Sequence, residues 1–313
     1  MRNAYIATLH ELARDNRDIL ALVSDNGAIV YDEFRRDFPD QFINVGIAEQ
    51  NLVSLAAGLA ACGKMPFAYT IAGFLTMRAF EQVRNDVCLQ KTNVKLVGIG
   101  VGFVYSDLGP THHSTEDIAL MRALPGMTIF SPADPVETRN VTRAAGEIEG
   151  PVYLRLATSR TPVIYEDDYD FQVGRGVTLR EGDDLTIIAT GNILHEVLRG
   201  ADDLEKAGIS ARIVNLHTLK PIDEEIIVKA AAETRAILTV EEHTILGGLG
   251  SAVAEVVAEN LSEPVRFKRM GLKGVFPSGY GSYEDMKKFN KLSYTHIGGE
   301  AKKLYESKIQ LIC

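Results

Sequence analysis

The sequence predicts an α/β protein of two domains, each a mostly parallel sheet flanked by helices. Three observations carry that prediction. Apolar runs of strand length alternate with amphipathic stretches of helix length along the chain, and parallel strands need such crossovers. The chain has 313 residues, which at roughly 150 residues per domain gives two cores. A polar, acidic stretch, with YEDDYDFQ and a glycine on each side of Arg175, separates two strand series. We therefore expect domains at 1–160 and 185–313, joined by a linker at 161–184.

The elements follow in order. Tyr5, Leu9, Leu12 and Ala13 recur at helical spacing and open the chain with an amphipathic helix. ILALVSD is a buried strand and FINVG a short one; the segment 48–62 is a helix rich in Ala and Leu, closed by Gly63 at a C-cap position. MPFAYTIAG, VKLVGIG and MTIFSP are further strands, with helices at 74–90, 115–123 and 135–149, and PVYLRLATSR closes the first series. In the second series DLTIIATG, ARIVNLHT, AILTVEEH and PVRFKRMG are strands. Helices at 192–207, 223–234 and 250–260 lie between them, and 283–312 supplies two more that pack on this unit.

Composition excludes several functions. A content of 46% hydrophobic and 24% charged residues fits a folded chain. With 33 Lys and Arg against 42 Asp and Glu, the net charge of −9 works against binding nucleic acid or anionic lipid. The longest near-apolar stretch, 52–62, is broken by Ser54 and falls short of the roughly 18 residues of a membrane span. MRNAYIATLHELARDN has no apolar signal core, and Cys62, Cys88 and Cys313 are odd in number and far apart. A cytoplasmic location is the expectation.

Three segments carry candidate chemistry. NVGIAEQNLVSLAAGLAACG sets one carboxylate, Glu49, at the start of an otherwise apolar helix. A glutamate complementing the helix dipole accounts for it; so does a carboxylate that shares a proton with a bound heterocycle, and spacing does not choose. In AGFLTMRAFEQVRND, Phe74, Met77 and Phe80 recur every third residue beside Arg78, Glu81 and Arg84. That pattern serves a core-facing stripe or an apolar slot for a flat ring. GPTHHSTED presents His112 and His113 after a Gly-Pro turn. Adjacent histidines lack the i, i+4 spacing of a helical zinc site, which favours proton transfer or substrate hydrogen bonding over metal binding, and a solvated loop histidine accounts for the local pattern equally well. GGLGSAV is a weak dinucleotide-type signal, since Val253 stands where a third small residue belongs. Neither a P-loop, HExxH nor GxSxG occurs.

Taken together, VGIAEQN, GPTHHSTEDIALMRALPGMTIFSPAD, ATGNILHEV, NLHTLKPID and VEEHTILGGLG resemble, in this order, the C-terminal half of transketolases, which are thiamine-diphosphate enzymes. The resemblance covers nearly the whole chain and implies a pyrimidine-binding domain followed by a smaller C-terminal α/β domain. It implies that Glu49 hydrogen-bonds N1′ of the aminopyrimidine and so promotes loss of the thiazolium C2 proton. Phe74, Met77 and Phe80 correspond to the ring pocket, with Met77 where the family often has an aromatic. Asp25 matches an aspartate near the cofactor, and His112 a histidine that contacts the sugar, with His113 beside it. Arg2 and Arg160 match two arginines that bind a substrate phosphate. The histidine and serine that accompany them in the family fall at Gly100 and near Ile29, and a donor-contacting aspartate falls at Leu108, beside Asp107. The implied donor is a ketose with an anionic tail, phosphate or sulfonate, and the acceptor an aldose.

The family's ligands for Mg2+ and the diphosphate, a GDG motif and a later Asn, have no counterpart here, since GDG does not occur and Met1 lies almost directly before the first unit. The resemblance therefore implies an N-terminal partner subunit that carries GDG and the metal ligands, in an α2β2 assembly sharing the cofactor between unlike chains. Three alternatives stand beside it. One is the β subunit of a 2-oxoacid dehydrogenase E1 component, and another a deoxyxylulose-phosphate-synthase-like enzyme. The third is a non-catalytic nucleotide-binding or scaffolding subunit, supported by GGLGSAV alone.

Overall fold

The computed structural model describes residues 1–27, 29–158, 161–166 and 169–312, without the side chains of 310–312. In chain order the first half supplies α1 (Arg2–Asp15), β1 (Ile19–Val23), α2 (Asp32–Asp37), β2 (Phe42–Asn44), α3 (Glu49–Ala61), β3 (Met65–Ile71) and α4 (Phe80–Gln82). It continues with β4 (Lys95–Ile99), α5 (Asp117–Arg122), β5 (Thr128–Phe130), α6 (Pro135–Glu147) and β6 (Val152–Leu156). The second half supplies β7 (Val177–Arg180), β8 (Leu185–Ala189), α7 (Leu194–Lys206), β9 (Ala211–Asn215), β10 (Thr218–Lys220) and α8 (Glu224–Thr234). Then come β11 (Ala236–Thr244), α9 (Leu249–Asn260), β12 (Arg266–Leu272), α10 (Tyr283–Phe289) and α11 (Tyr294–Ile312).

These form a seven-stranded sheet, ordered β10-β5-β6-β4-β3-β1-β2, and a five-stranded sheet, β12-β11-β8-β9-β7. Pairing is parallel from β5 to β2 and from β12 to β9. Every residue of β1, β4, β6, β8 and β9 is buried, because helices cover both faces of a parallel sheet. On one face of the first sheet Tyr5 and Leu9 of α1 meet Val141 of α6. On the other, Leu52 and Val53 of α3 join an apolar cluster that runs on through Val214 and Leu249 of the second half. The two-sheet α/β class expected from the alternation is what the chain adopts.

One edge of each sheet is antiparallel, which the pattern of crossovers does not predict. Val177–Arg180, inside the stretch expected to be a linker, pairs with β9, and β10 reaches back from the second half to pair with β5 of the first. Each short edge strand covers N–H and C=O groups that would otherwise lie open. The helix expected at 74–90 is also interrupted. Phe74–Arg78 and Val83–Cys88 are π turns on either side of α4, a wider winding that recurs at functional sites. Among the described residues no helix is long and apolar enough to cross a membrane.

Candidate active site

Most of the predicted site residues gather beyond the carboxyl ends of β1 to β4, the edge at which open parallel sheets hold ligands. Asn44, the last residue of β2, organises the entry. Its Oδ1 accepts from the N–H groups of Asp25 and Gly46, each at 3.0 Å, and its Nδ2 donates to Asp25 Oδ1 at 3.3 Å. Asp25 is thereby held at φ +48°, a left-handed conformation that costs a non-glycine residue free energy, and its side chain is exposed. From Gly46 the chain turns into α3, whose first residue is Glu49.

The Glu49 side chain is 4% exposed, yet its partner reaches it from the surface. Arg78 Nη1 donates to Glu49 Oε2 at 2.7 Å, and Arg78 is itself 48% exposed. The guanidinium lies over the Phe74 ring, 4.4 Å from its centroid, a cation–π arrangement. Phe74 in turn meets the edge of His112, ring centroids 5.2 Å apart. Glu49, Arg78, Phe74 and His112 are thus one continuous row. The every-third spacing does not make a single slot: Met77 is exposed, and Phe80 is half-buried against the apolar core. Phe74 and Arg78 stand four residues apart within the Phe74–Arg78 π winding, on the side that meets Glu49.

A second group adjoins the first. Gly100, following β4, has φ +78°, and a side chain built on it would fall 1.9 Å from Cε2 of Tyr105. The Tyr105 ring therefore fills the space where the resemblance called for a histidine, and its centroid is 6.5 Å from that of His112. Burial pushes the Tyr105 hydroxyl up, with the charge of Arg2 acting against that shift, so the phenol is a neutral hydrogen-bond donor. The Nε of Arg2 is buried without a hydrogen-bond partner. Arg160 lies outside the described residues.

The loop between β4 and α5 holds the remaining candidates. His112 Nδ1 is 3.0 Å from Thr111 Oγ1, which leaves Nε2 free to face a ligand. His113 is 3% exposed, and burial pushes its pKa down against the opposing pull of the Tyr105 and Ser106 backbone; it is a neutral ring inside the loop beside Phe103. Asp107 is exposed near the tip. Sequence reasoning named neither Asn44 nor Tyr105 and took Arg78 only as a charged neighbour. The lone cation within the aromatic repeat, facing a lone carboxylate, was the available signal for Arg78.

Residues 1–163 match the family described as transketolase, pyrimidine binding domain, and residues 174–297 match transketolase, C-terminal domain. The chain belongs to the transketolase family. It is 41% identical to one subunit of the apulose-4-phosphate transketolase of Phocaeicola vulgatus, over 87% of this chain and 86% of that one. It is 39% identical to the 6-deoxy-6-sulfo-D-fructose transketolase subunit SqwH of Clostridium sp. (strain MSTE9), over 88% and 85%. Among solved structures, a split-gene transketolase described as an inactive beta4 tetramer superposes with a TM-score of 0.90 at 42% identity, covering 97% of this chain and 98% of that one.

Membership of the transketolase family implies dependence on thiamine diphosphate, and the donor set fits one half of that cofactor. A buried carboxylate that pairs with a nitrogen donor at 2.7 Å is suited to a protonated ring nitrogen, and Phe74 offers it a flat wall. For the other half, among the described residues no cluster of three His, Cys, Asp or Glu side chains could hold a metal ion.

Proposed function

We propose that this chain is the C-terminal subunit of a split transketolase that moves a two-carbon ketol unit from a ketose with an anionic tail to an aldose. The observation that carries the reading is the Glu49–Arg78 pair: a carboxylate 4% exposed is matched by a guanidinium 48% exposed. A ring nitrogen can replace that guanidinium while the carboxylate stays where α3 holds it. When bound, thiamine diphosphate supplies carbanion stabilisation. Glu49 would hold the proton at N1′ of the pyrimidine, Phe74 would wall the ring, and Asp25 would stand near it.

His112 Nε2 hydrogen-bonds the sugar and exchanges protons with its hydroxyls, with Thr111 occupying the other ring nitrogen; His113 and Asp107 complete that wall. Arg2 and Arg160 bind the anionic tail through charge-assisted hydrogen bonds, which suit phosphate and sulfonate alike. Two similar proteins are named for substrates of that class, apulose 4-phosphate and 6-deoxy-6-sulfo-D-fructose, which supports the tail requirement. The diphosphate and Mg2+ ligands belong to an N-terminal subunit with the GDG motif, in a cytoplasmic α2β2 assembly.

Purification from the native host under mild conditions, with mass spectrometry of whatever accompanies the chain, tests the assembly; donor assays on that material test the substrate. We expect a stoichiometric GDG-bearing companion and turnover of phosphate- or sulfonate-tailed ketoses. Isolation alone, without cofactor, overturns the shared site, and faster turnover of pyruvate than of any ketose favours the 2-oxoacid dehydrogenase reading.

A further inference from the structure

We infer that Glu242, on β11 of the C-terminal half, is a positioning residue that fastens the histidine loop of the first half. Its carboxylate is 2% exposed and reaches across between the two sheets. Oε1 accepts from the backbone N–H of Phe103 at 2.5 Å, while Oε2 accepts from Asn192 Nδ2 at 3.2 Å and from the Tyr283 hydroxyl. Three donors from three separate segments thus converge on one side chain. The approach to the loop leaves no room for slack. Gly102 has φ +59°, and a side chain there would fall 2.2 Å from Glu242 Oε1.

The loop transmits what happens at its root. Gly102 and Ser114 exchange both backbone hydrogen bonds, Gly102 N to Ser114 O at 2.9 Å and Ser114 N to Gly102 O at 3.1 Å. They close residues 102–114 into a compact loop with His112 two residues from the seam, and such loops are held by their own packing and their ends. Arg155 ties the seam to the same strand, donating from Nη2 to the carbonyl of Ser114 at 3.4 Å and to that of Glu242 at 3.1 Å. Thr244 N donates to Thr115 O at 2.7 Å. At the far end Tyr280, also from the C-terminal half, stands where a side chain on Gly109 would meet its hydroxyl at 2.9 Å. The second half thus reaches the root, the seam and the neighbourhood of the tip; the Phe103 ring packs in its apolar core, and among the described residues Glu242 supplies the side-chain hydrogen bond to the root.

The Phe103 N–H lies outside any strand pairing, so its hydrogen bond depends on Glu242. Without that acceptor a buried N–H is left unpaired, and the backbone at the root must shift about the anchored Phe103 ring to satisfy it; a displacement of about 1 Å in a substrate-positioning group lowers turnover about a hundredfold. This kinetic consequence rests on the proposed contact between His112 and the sugar; the mechanical one does not.

Glu242→Met in the full chain, assembled with its partner subunit, tests both. Met has nearly the same length and volume but offers the Phe103 N–H no carboxylate oxygen. Amide hydrogen exchange should quicken at least tenfold across 102–114 while β8 and β9 keep their protection. In the complex, kcat/KM for an anionic ketose should fall about a hundredfold with hydrogen exchange at C2 of the bound cofactor unchanged, since that step uses Glu49. Tyr283→Phe, which removes one of the three donors, should leave the loop as protected as in the wild type, because Phe103 keeps its acceptor; it serves as the mild control if Met impairs folding, and Asn192→Ala is the corresponding second control. Equal loss of protection in loop and sheet strands, or C2 exchange falling in step with turnover, would show a merely structural residue and overturn the inference. A loosened loop with unchanged sugar kinetics would uphold the clasp and refute the role of His112, which His112→Ala would confirm by remaining fully active.

Discussion

Replacing Glu137 by Gln should change how the stability of this chain depends on pH, in a direction set by two buried groups of opposite kind. Glu137 accepts from Ala133 N at 2.6 Å, from Asn215 Nδ2 at 2.9 Å and from the Tyr169 hydroxyl at 3.0 Å. Even so, burial pushes its carboxyl up from 4.5 to about 7. His217 lies beside the Phe171 ring, with Nδ1 2.9 Å from Thr218 Oγ1, and burial pushes it down from 6.5 to about 4. Each displacement is worth about 3 kcal/mol. Between pH 4.5 and 7 the folded chain holds a proton on Glu137 that the unfolded chain has released, so this group makes stability fall as pH rises. Between pH 4 and 6.5 the unfolded chain holds a proton on His217 that the folded chain lacks, so that group makes stability rise.

In the wild type the two slopes oppose each other from pH 4.5 to 6.5. Glu137→Gln removes one of them; its amide oxygen can still accept from Ala133 N and its N–H2 can donate to Tyr169. The stability of the variant relative to wild type should therefore climb by about 3 kcal/mol between pH 4.5 and 7. His217→Asn should show the reverse, a relative fall of similar size between pH 4 and 6.5. Urea unfolding at closely spaced pH values measures both, and titrations common to all three proteins cancel in the differences. Curves for Glu137→Gln and wild type that run parallel across this range would refute the assignment of a raised pKa to Glu137.

Other outcomes follow from the site and its supports. Glu49→Gln should preserve assembly but slow hydrogen exchange at C2 of thiamine diphosphate at least a hundredfold; exchange at the wild-type rate would remove Glu49 from its role. Arg2→Ala should raise KM for ketoses with an anionic tail by about tenfold or more and leave an uncharged ketose unaffected, and equal losses on both would place the anion elsewhere. Asp117, fully buried, accepts from Arg155 Nε at 2.8 Å and from the Tyr153 hydroxyl at 2.7 Å. Asp117→Ala strands the Arg155 charge and should destabilise the fold by about 3–5 kcal/mol, read as a lower thermal midpoint that Arg155→Met partly restores.

The sequence by itself determined the class of fold, because parallel strands buried on both faces are nearly continuous apolar runs and their crossovers are amphipathic helices. It also singled out the segments proposed to carry chemistry, since GIAEQN and GPTHHSTED are contiguous in the chain and legible as written. What it left open depends on contacts between residues far apart. The edge strands Val177–Arg180 and Thr218–Lys220 are too short and too polar to announce a partner. Phe74 and Arg78 stand four residues apart, a spacing any helix sets on one face, yet only the folded chain shows that Arg78 rather than Met77 lies against Glu49. Tyr105 over Gly100 and Glu242 under Phe103 join residues 5 and 139 positions apart. No local pattern encodes such a meeting, because both depend on where glycines at positive φ let the backbone turn beneath a side chain that another element delivers.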